Sequence, residues 1–229
     1  GTLNASGSNS VLGTGAVSVS SAGNLQLQGG ISLGNAIMIN GTGTSGNGAI
    51  QNFAGNNSLS GGISLAGNSR VQSDSGALTL GGNVALGSTT LNVGGAGSTS
   101  VSGVVSGTGG LTKDGTGTLN LSGINTYSGT TAVNGGTLQL GASSALSNST
   151  AVSVGSGATF DLNGKTDTIQ SLSGAGTLAI GSGALIAGNA ANTTFSGNIT
   201  GTGSLIKQGT GTLTLGSNIA FAGNMSVTA

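Results

Sequence analysis

The sequence predicts an all-β chain folded as a right-handed single-stranded parallel β-helix, a β-solenoid. Three observations predict it. First, a motif returns after 94 residues without a gap: residues 103–133 read GVVSGTGGLTKDGTGTLNLSGINTYSGTTAV and residues 197–227 read GNITGTGSLIKQGTGTLTLGSNIAFAGNMSV, identical at 14 of 31 positions. Second, apolar residues alternate with polar ones in short bursts from end to end. Third, aromatics make up only 2% of the chain, too few for one bulky central core. Self-similarity at a fixed period is the mark of a stacked repeat. Such chains spend residues on length, so function is expected in a long surface or span and not in a small pocket.

The bursts run in order through Val17 and Val19, Leu25 and Leu27, Ile37 and Ile39, Ile63 and Leu65, Leu78 and Leu80, and Leu91 and Val93. They continue through Leu119 and Leu121, Leu138 and Leu140, Val152 and Val154, Phe160 and Leu162, Leu178 and Ile180, and Leu213 and Leu215. Alternation with period two over three to five residues reads as short, half-buried strands. Gly, Asn and Ser clusters separate them, as in the AGN at 66–68 and the NGG at 134–136. Gly and Asn tolerate the positive φ that tight turns need. No 3.6-residue stripe or capped helix stands out, and the nearest candidate, 142–146, is too short. A sandwich or a barrel would also use many strands. The very short strands, the missing bulky core and a repeat read as returning in phase favour coils of ~20–25 residues, about ten of them, in a rod of roughly 45–50 Å.

Composition excludes several function classes. Formal net charge is zero, with Arg70, Lys113, Lys165 and Lys207 balancing Asp74, Asp114, Asp161 and Asp167. No basic stripe is present, so nucleic acid is not an expected partner. No polybasic segment or long apolar run is present, so direct membrane insertion of this segment is not expected. The opening GTLNASG has neither the basic nor the apolar region of a signal peptide. Cys and His are absent, which removes Ser-His-Asp and Cys-His catalysis and the usual zinc ligands. Without Glu, a glycosidase pair would need two Asp residues. The candidates, Asp161 and Asp167 around Lys165, read as a solvated turn. Arg70 and Asp74 stand by themselves. Gly164-Lys165-Thr166 ends like a P-loop, but Thr159 occupies its first glycine position. The G-x-G-x-x-G at 41–46 is expected by chance with 49 glycines. No catalytic, cofactor-binding or metal-ligating residue is therefore assigned.

The 229 residues read as one continuous solenoid segment, with repeat copies near 1–27, 103–140 and 197–229. Residues 1–17 align with 117–133, Asn9 falling on Asn125 and Gly13 on Gly129. The chain thus opens and closes inside repeat copies, which predicts a piece of a longer solenoid.

Residues 107–140 strongly resemble the passenger-associated transport repeat of type V autotransporters, also called the autotransporter-associated β-strand repeat. The hallmarks are Leu111, Lys113, Gly115, Gly117, Leu119, Gly123, Asn125, Tyr127, Gly129, Val133, Gly136 and Leu138. The second copy carries Leu205, Lys207, Gly209, Gly211 and Leu213, with Phe221, Gly223 and Val227 at the matching positions, and departs from the first after Leu215. Residues 151–180 look like spacer coils. The resemblance implies an extracellular parallel β-helix in a passenger exposed on a bacterial cell surface, with no catalytic activity of its own. Lys113 and Lys207, at one phase of the repeat, read as outward charges that discourage lateral pairing. Tyr127 and Phe221 read as plugs at one equivalent place. The function this implies is a stalk or adhesion surface, its partners host-cell or matrix glycans or proteins. The alternative is a self-assembling fibre or sheath subunit, which low charge would permit.

Overall fold

A computed structural model describes every residue except 189, 217, 218, 220 and 229. Part of the divergent stretch after Leu215 therefore lies outside the described residues. Among those described, the chain is a column of stacked coils in which every named strand pair is parallel, and no α-helix occurs. A single 3-10 turn, Thr44–Gly46, is the one helical element. Among the described residues no helix is long and apolar enough to cross a membrane.

Each coil visits three faces. The first face stacks eleven strands from Thr2–Ala5 to Leu213–Leu215, and the second stacks nine from Ser32–Leu33 to Asn198–Gly201. The third begins with Val17–Val19, Ile37–Gly41, the first half of Ile63–Ser73, Val84–Gly87 and Val105–Gly107. It resumes with Thr166–Ile169, Ala184–Gly188, Ser204–Gln208 and Asn224–Val227. Between these runs, two rungs near 124–128 and 143–147 carry no strand. Partners lie 22 residues apart at Thr2↔Asn24, 25 at Leu25↔Ile50 and 20 at Leu91↔Leu111, within the expected coil length. Ten steps of ~4.8 Å make the first face about 48 Å long.

The alternation seen in the sequence sets which side chains fill the column. On the second face Leu119, Leu138, Phe160, Leu178 and Ile199 stack in register and are buried. Thr118, Thr137, Thr159 and Thr177 stack beside them, half-buried and turned the other way. Each buried Leu or Ile contributes ~1.5–3 kcal/mol, and the ladders satisfy the backbone without a thick core. Strand length departs from the expected three to five residues at the two-residue Ser32–Leu33 and, more markedly, at one long strand. Ile63–Ser73 is an 11-residue strand that turns the corner from the third face to the first unbroken, because Ala66 and Gly67 put no bulk at the bend.

The repeat does not return in phase with the coils. The first-face column through Leu111 runs Leu111↔Thr131, Thr131↔Val152 and Val152↔Leu172, and its last strand is Leu213–Leu215. Leu205–Lys207, the counterpart of Leu111–Lys113, lies instead on the third face, between Ala184–Gly188 and Asn224–Val227. Ninety-four residues amount to five coils less one face, since five coils carry Leu111 to Leu213 and Leu205 lies one face earlier. The copies are threaded one face apart, which a triangular column with short alternating strands on every side permits.

Candidate functional site

The repeat copy at 103–140 contains the first strandless rung of the third face, near 124–128, and the second, near 143–147, follows it. Leu111, Lys113, Leu119 and Val133 point inward from first- and second-face strands and are buried. Gly115 has φ +69 at the corner after Lys113, and Gly209 has φ +74 at the same point of the second copy. Both hold the left-handed conformation that side chains resist. At Gly129 a Cβ would collide with the Gly109 carbonyl one coil below, and at Gly223 with that of Gly203. Gly117 and Gly211 make the same close approach, to Gly97 and Ala191.

Lys113 is corrected by the structure. It is 2% exposed and points into the column, not outward. Its Nζ donates to the carbonyls of Asp114 at 2.5 Å, Gly115 at 3.1 Å and Gly135 at 3.1 Å. The ammonium closes a corner where carbonyls of two adjacent coils converge. Burial lowers its pKa; Asp114 opposes that and Arg70 adds to it. Lys207 reaches the Gln208 and Gly209 carbonyls from a half-buried position, and residue 229, the counterpart of Gly135, lies outside the described residues.

Tyr127 fills the interior where the third face lacks a strand, and it is fully buried. Its hydroxyl lies 2.6 Å from Thr131 Oγ1, Thr131 Oγ1 lies 3.0 Å from Thr150 Oγ1, and Thr150 donates to the Gly129 carbonyl at 2.6 Å. Each hydroxyl has one proton, so the order of donation is Tyr127 to Thr131 to Thr150 to Gly129. Burial raises the Tyr127 pKa above its ordinary value, and the phenol stays neutral. Phe221 does not occupy the equivalent place. It bridges to Gly201 beside the second face and is half-buried, a consequence of the one-face rotation. Val227, the counterpart of Val133, is 80% exposed.

Asn125 replaces strand pairing on the same rung. Its Oδ1 accepts the Val105 N–H at 2.7 Å and its Nδ2 donates to the Ala145 carbonyl at 2.6 Å. Coil corners elsewhere repeat the device: Asn68, Asn83 and Asn192 each accept a backbone N–H from the following coil.

Two further sequence readings are corrected. Asp161 and Asp167 do not share a solvated turn. Asp161 accepts Gln139 Nε2 at 2.9 Å on the second face, whereas Asp167 points inward on Thr166–Ile169 and is 1% exposed. The alternating pattern of that strand places Asp167 and Ile169 on its buried side. Arg70 and Asp74 do not stand alone either. Arg70 donates to Gln72 at 2.8 Å, Asn92 at 3.2 Å and Asp114 at 2.7 Å, and Gln72 and Gln51 both donate to Asp74 at 2.5 Å. Gln26 donates to Gln51 at 3.2 Å and Asn4 to Gln26 at 3.0 Å. One run of side-chain hydrogen bonds thus crosses six rungs, Asn4 to Asp114. Gly94 leaves room for the reach, since a Cβ there would collide with the ends of both Arg70 and Asp114. Arg70→Ala is expected to cost about 1 kcal/mol, less at high salt, because the ion pair is partly solvated; urea denaturation at two ionic strengths measures it.

Among the described residues no three His, Cys, Asp or Glu side chains group as a metal site. The arrangement can tie coils together and present long polar rows. Comparison with known families finds the passenger-associated-transport-repeat at residues 111–140 and 205–229. No curated protein and no solved structure matches the chain. The chain thus carries two matches to the passenger-associated-transport-repeat, threaded on a parallel β-solenoid, and in both respects it resembles an autotransporter passenger.

Proposed function

We propose that the chain is a non-catalytic structural and adhesive segment of a bacterial surface protein, serving outside the cell as a stalk or adhesion surface. The observation that carries this reading is the polar run from Asn4 through Gln26, Gln51, Gln72 and Arg70 to Asp114. It lies along the axis and offers exposed or half-buried amide and charged groups on either side of the buried Gln51, at multiples of the ~4.8 Å step of the coils. Long glycans or extended protein segments of a host cell or matrix suit such a row. The repeat family, one of secreted passengers, supports the location.

A second reading, self-assembly into a fibre or sheath, is favoured by one feature. A groove of about 560 Å³ runs over the third face between Ala16, Ala36, Met38, Ile63 and Ala85, with Met38 46% exposed. Negative-stain electron microscopy across a concentration series, followed by glycan and cell-binding assays, tests both. Separate short rods that bind, and that bind less after Gln26→Ala with Gln72→Ala, are the expected result. Filaments that lengthen with concentration would replace adhesion with assembly.

A further inference from the structure

The second strandless rung is held to the solenoid by a carboxyl group. Asp167 Oδ2 accepts the Leu146 N–H at 3.0 Å. Around it, Ser144 N–H donates to the Thr166 carbonyl at 2.9 Å and Thr166 N–H to Ser143 Oγ at 3.2 Å. Ala145, Leu146 and Leu185 enclose the group, all of them buried and Leu185 its register partner in the next coil. Asp167 Oδ1 is buried and accepts no hydrogen bond of normal geometry. A buried carboxylate oxygen without a partner is costly when charged and far less so when protonated.

We infer that the Asp167–Leu146 contact is a proton-operated latch on the third face. With the carboxyl protonated, the 143–147 rung closes firmly on Thr166–Ile169; with it ionised, the rung opens more readily. Protonation needs one proton from solvent, and Oδ2 keeps accepting the Leu146 N–H in both states.

The surroundings leave Asp167 with no compensating charge. Tyr127, from the neighbouring strandless rung, is the titratable group that acts on it, and burial keeps that phenol neutral. Neither 143–147 nor Ala184–Gly188 contains an ionisable side chain. Lys165 lies two residues before Asp167 at a half-buried corner. Lys207 stands two rungs away, engaged with the Gln208 and Gly209 carbonyls. Burial pushes the Asp167 pKa up to about 6, against the opposing pull of the Leu146, Thr168 and Ala145 N–H groups. A carboxyl whose folded pKa lies above its unfolded value of 3.8 contributes its stability fully below that lower value and loses it as pH rises through about 6. The latch therefore tightens in acid.

The chain offers a clean test, because it has no Glu, His or Cys. Aspartate is the side-chain type left to titrate in mildly acidic solution. Amide hydrogen exchange at 144–147 and 166–169, corrected for the intrinsic pH dependence, is read on the full chain at about pH 5 and about pH 7.5. Protection is expected to fall about tenfold across that range in the wild type. Asp167→Asn should abolish the fall, and Asp161→Asn should preserve it. A wild-type change below about twofold, or an Asp167→Asn chain that keeps the whole fall, overturns the latch. Should Asp167→Asn fail to fold, the wild type and Asp161→Asn decide it: an undiminished fall in both supports the latch, and its loss in Asp161→Asn overturns it.

Discussion

Tyr127→Ala is expected to destabilise the chain by about 3–5 kcal/mol, the range for truncating a fully buried aromatic side chain. The ring fills the interior of a rung that has no strand on the third face, so no neighbouring ladder can close over the void. The loss should also be topological. A solenoid is coupled mainly coil to coil, and weakening a central coil uncouples the coils on either side. Urea denaturation should then show two transitions in place of one. Tyr127→Phe keeps the ring and removes the donor to Thr131, so about 1–2 kcal/mol should go and the single transition should remain. A Tyr127→Ala chain that loses less than about 1 kcal/mol, or that still unfolds in one step, would show that the ring is not what joins the two halves.

The fold was legible in the sequence because period-two alternation and Gly-Asn corners are local signals. Leu119 and Leu121, or Leu138 and Leu140, announce a buried strand face without reference to anything distant. What stayed hidden is decided between coils. Lys113 looks like any surface lysine until the Gly135 carbonyl, 22 residues on, comes to 3.1 Å. Arg70 finds Asp114 only because coils of 20–22 residues carry the two to neighbouring parts of one face. Asp167 looks solvated beside Asp161 and Lys165, yet strand alternation turns it inward. A spacing rule could have found part of this: residues 20–22 apart are neighbours, so Asn4 and Gln26, and Gln51 and Gln72, were readable as pairs. The coil length had to be known to about one residue, and the 25-residue step at Leu25↔Ile50 shows that it varies.

The two copies of the repeat differ in depth. Leu111–Lys113 lies on the first face and Leu205–Lys207 on the third, each between two parallel strands, but the lysine of the first is 2% exposed and that of the second half-buried. Sequence identity therefore does not carry the environment with it. Lys113 is buried against carbonyls of two coils, whereas Lys207 is half-buried and, among the described residues, its ammonium donates to the carbonyls of its own corner.

That difference sets the last expectation. Lys113→Ala should cost about 2–4 kcal/mol, because converging carbonyls lose a charge-assisted donor inside a site that water does not readily enter. Lys207→Ala should cost less than about 1 kcal/mol, since its carbonyls stay hydrated. Lys113→Met separates the two contributions at the buried site. Methionine refills the volume of the lysine stem but offers no proton, so it should recover the packing part and leave the carbonyls unsatisfied, at roughly half the alanine cost. Chemical denaturation of the three variants under one buffer condition supplies the comparison. Equal losses for Lys113→Ala and Lys207→Ala would mean that the motif itself, and not its place in the column, sets the energy. Full recovery by methionine would mean that the carbonyl cradle contributes nothing, and Lys113 would then be a packing residue whose charge is incidental.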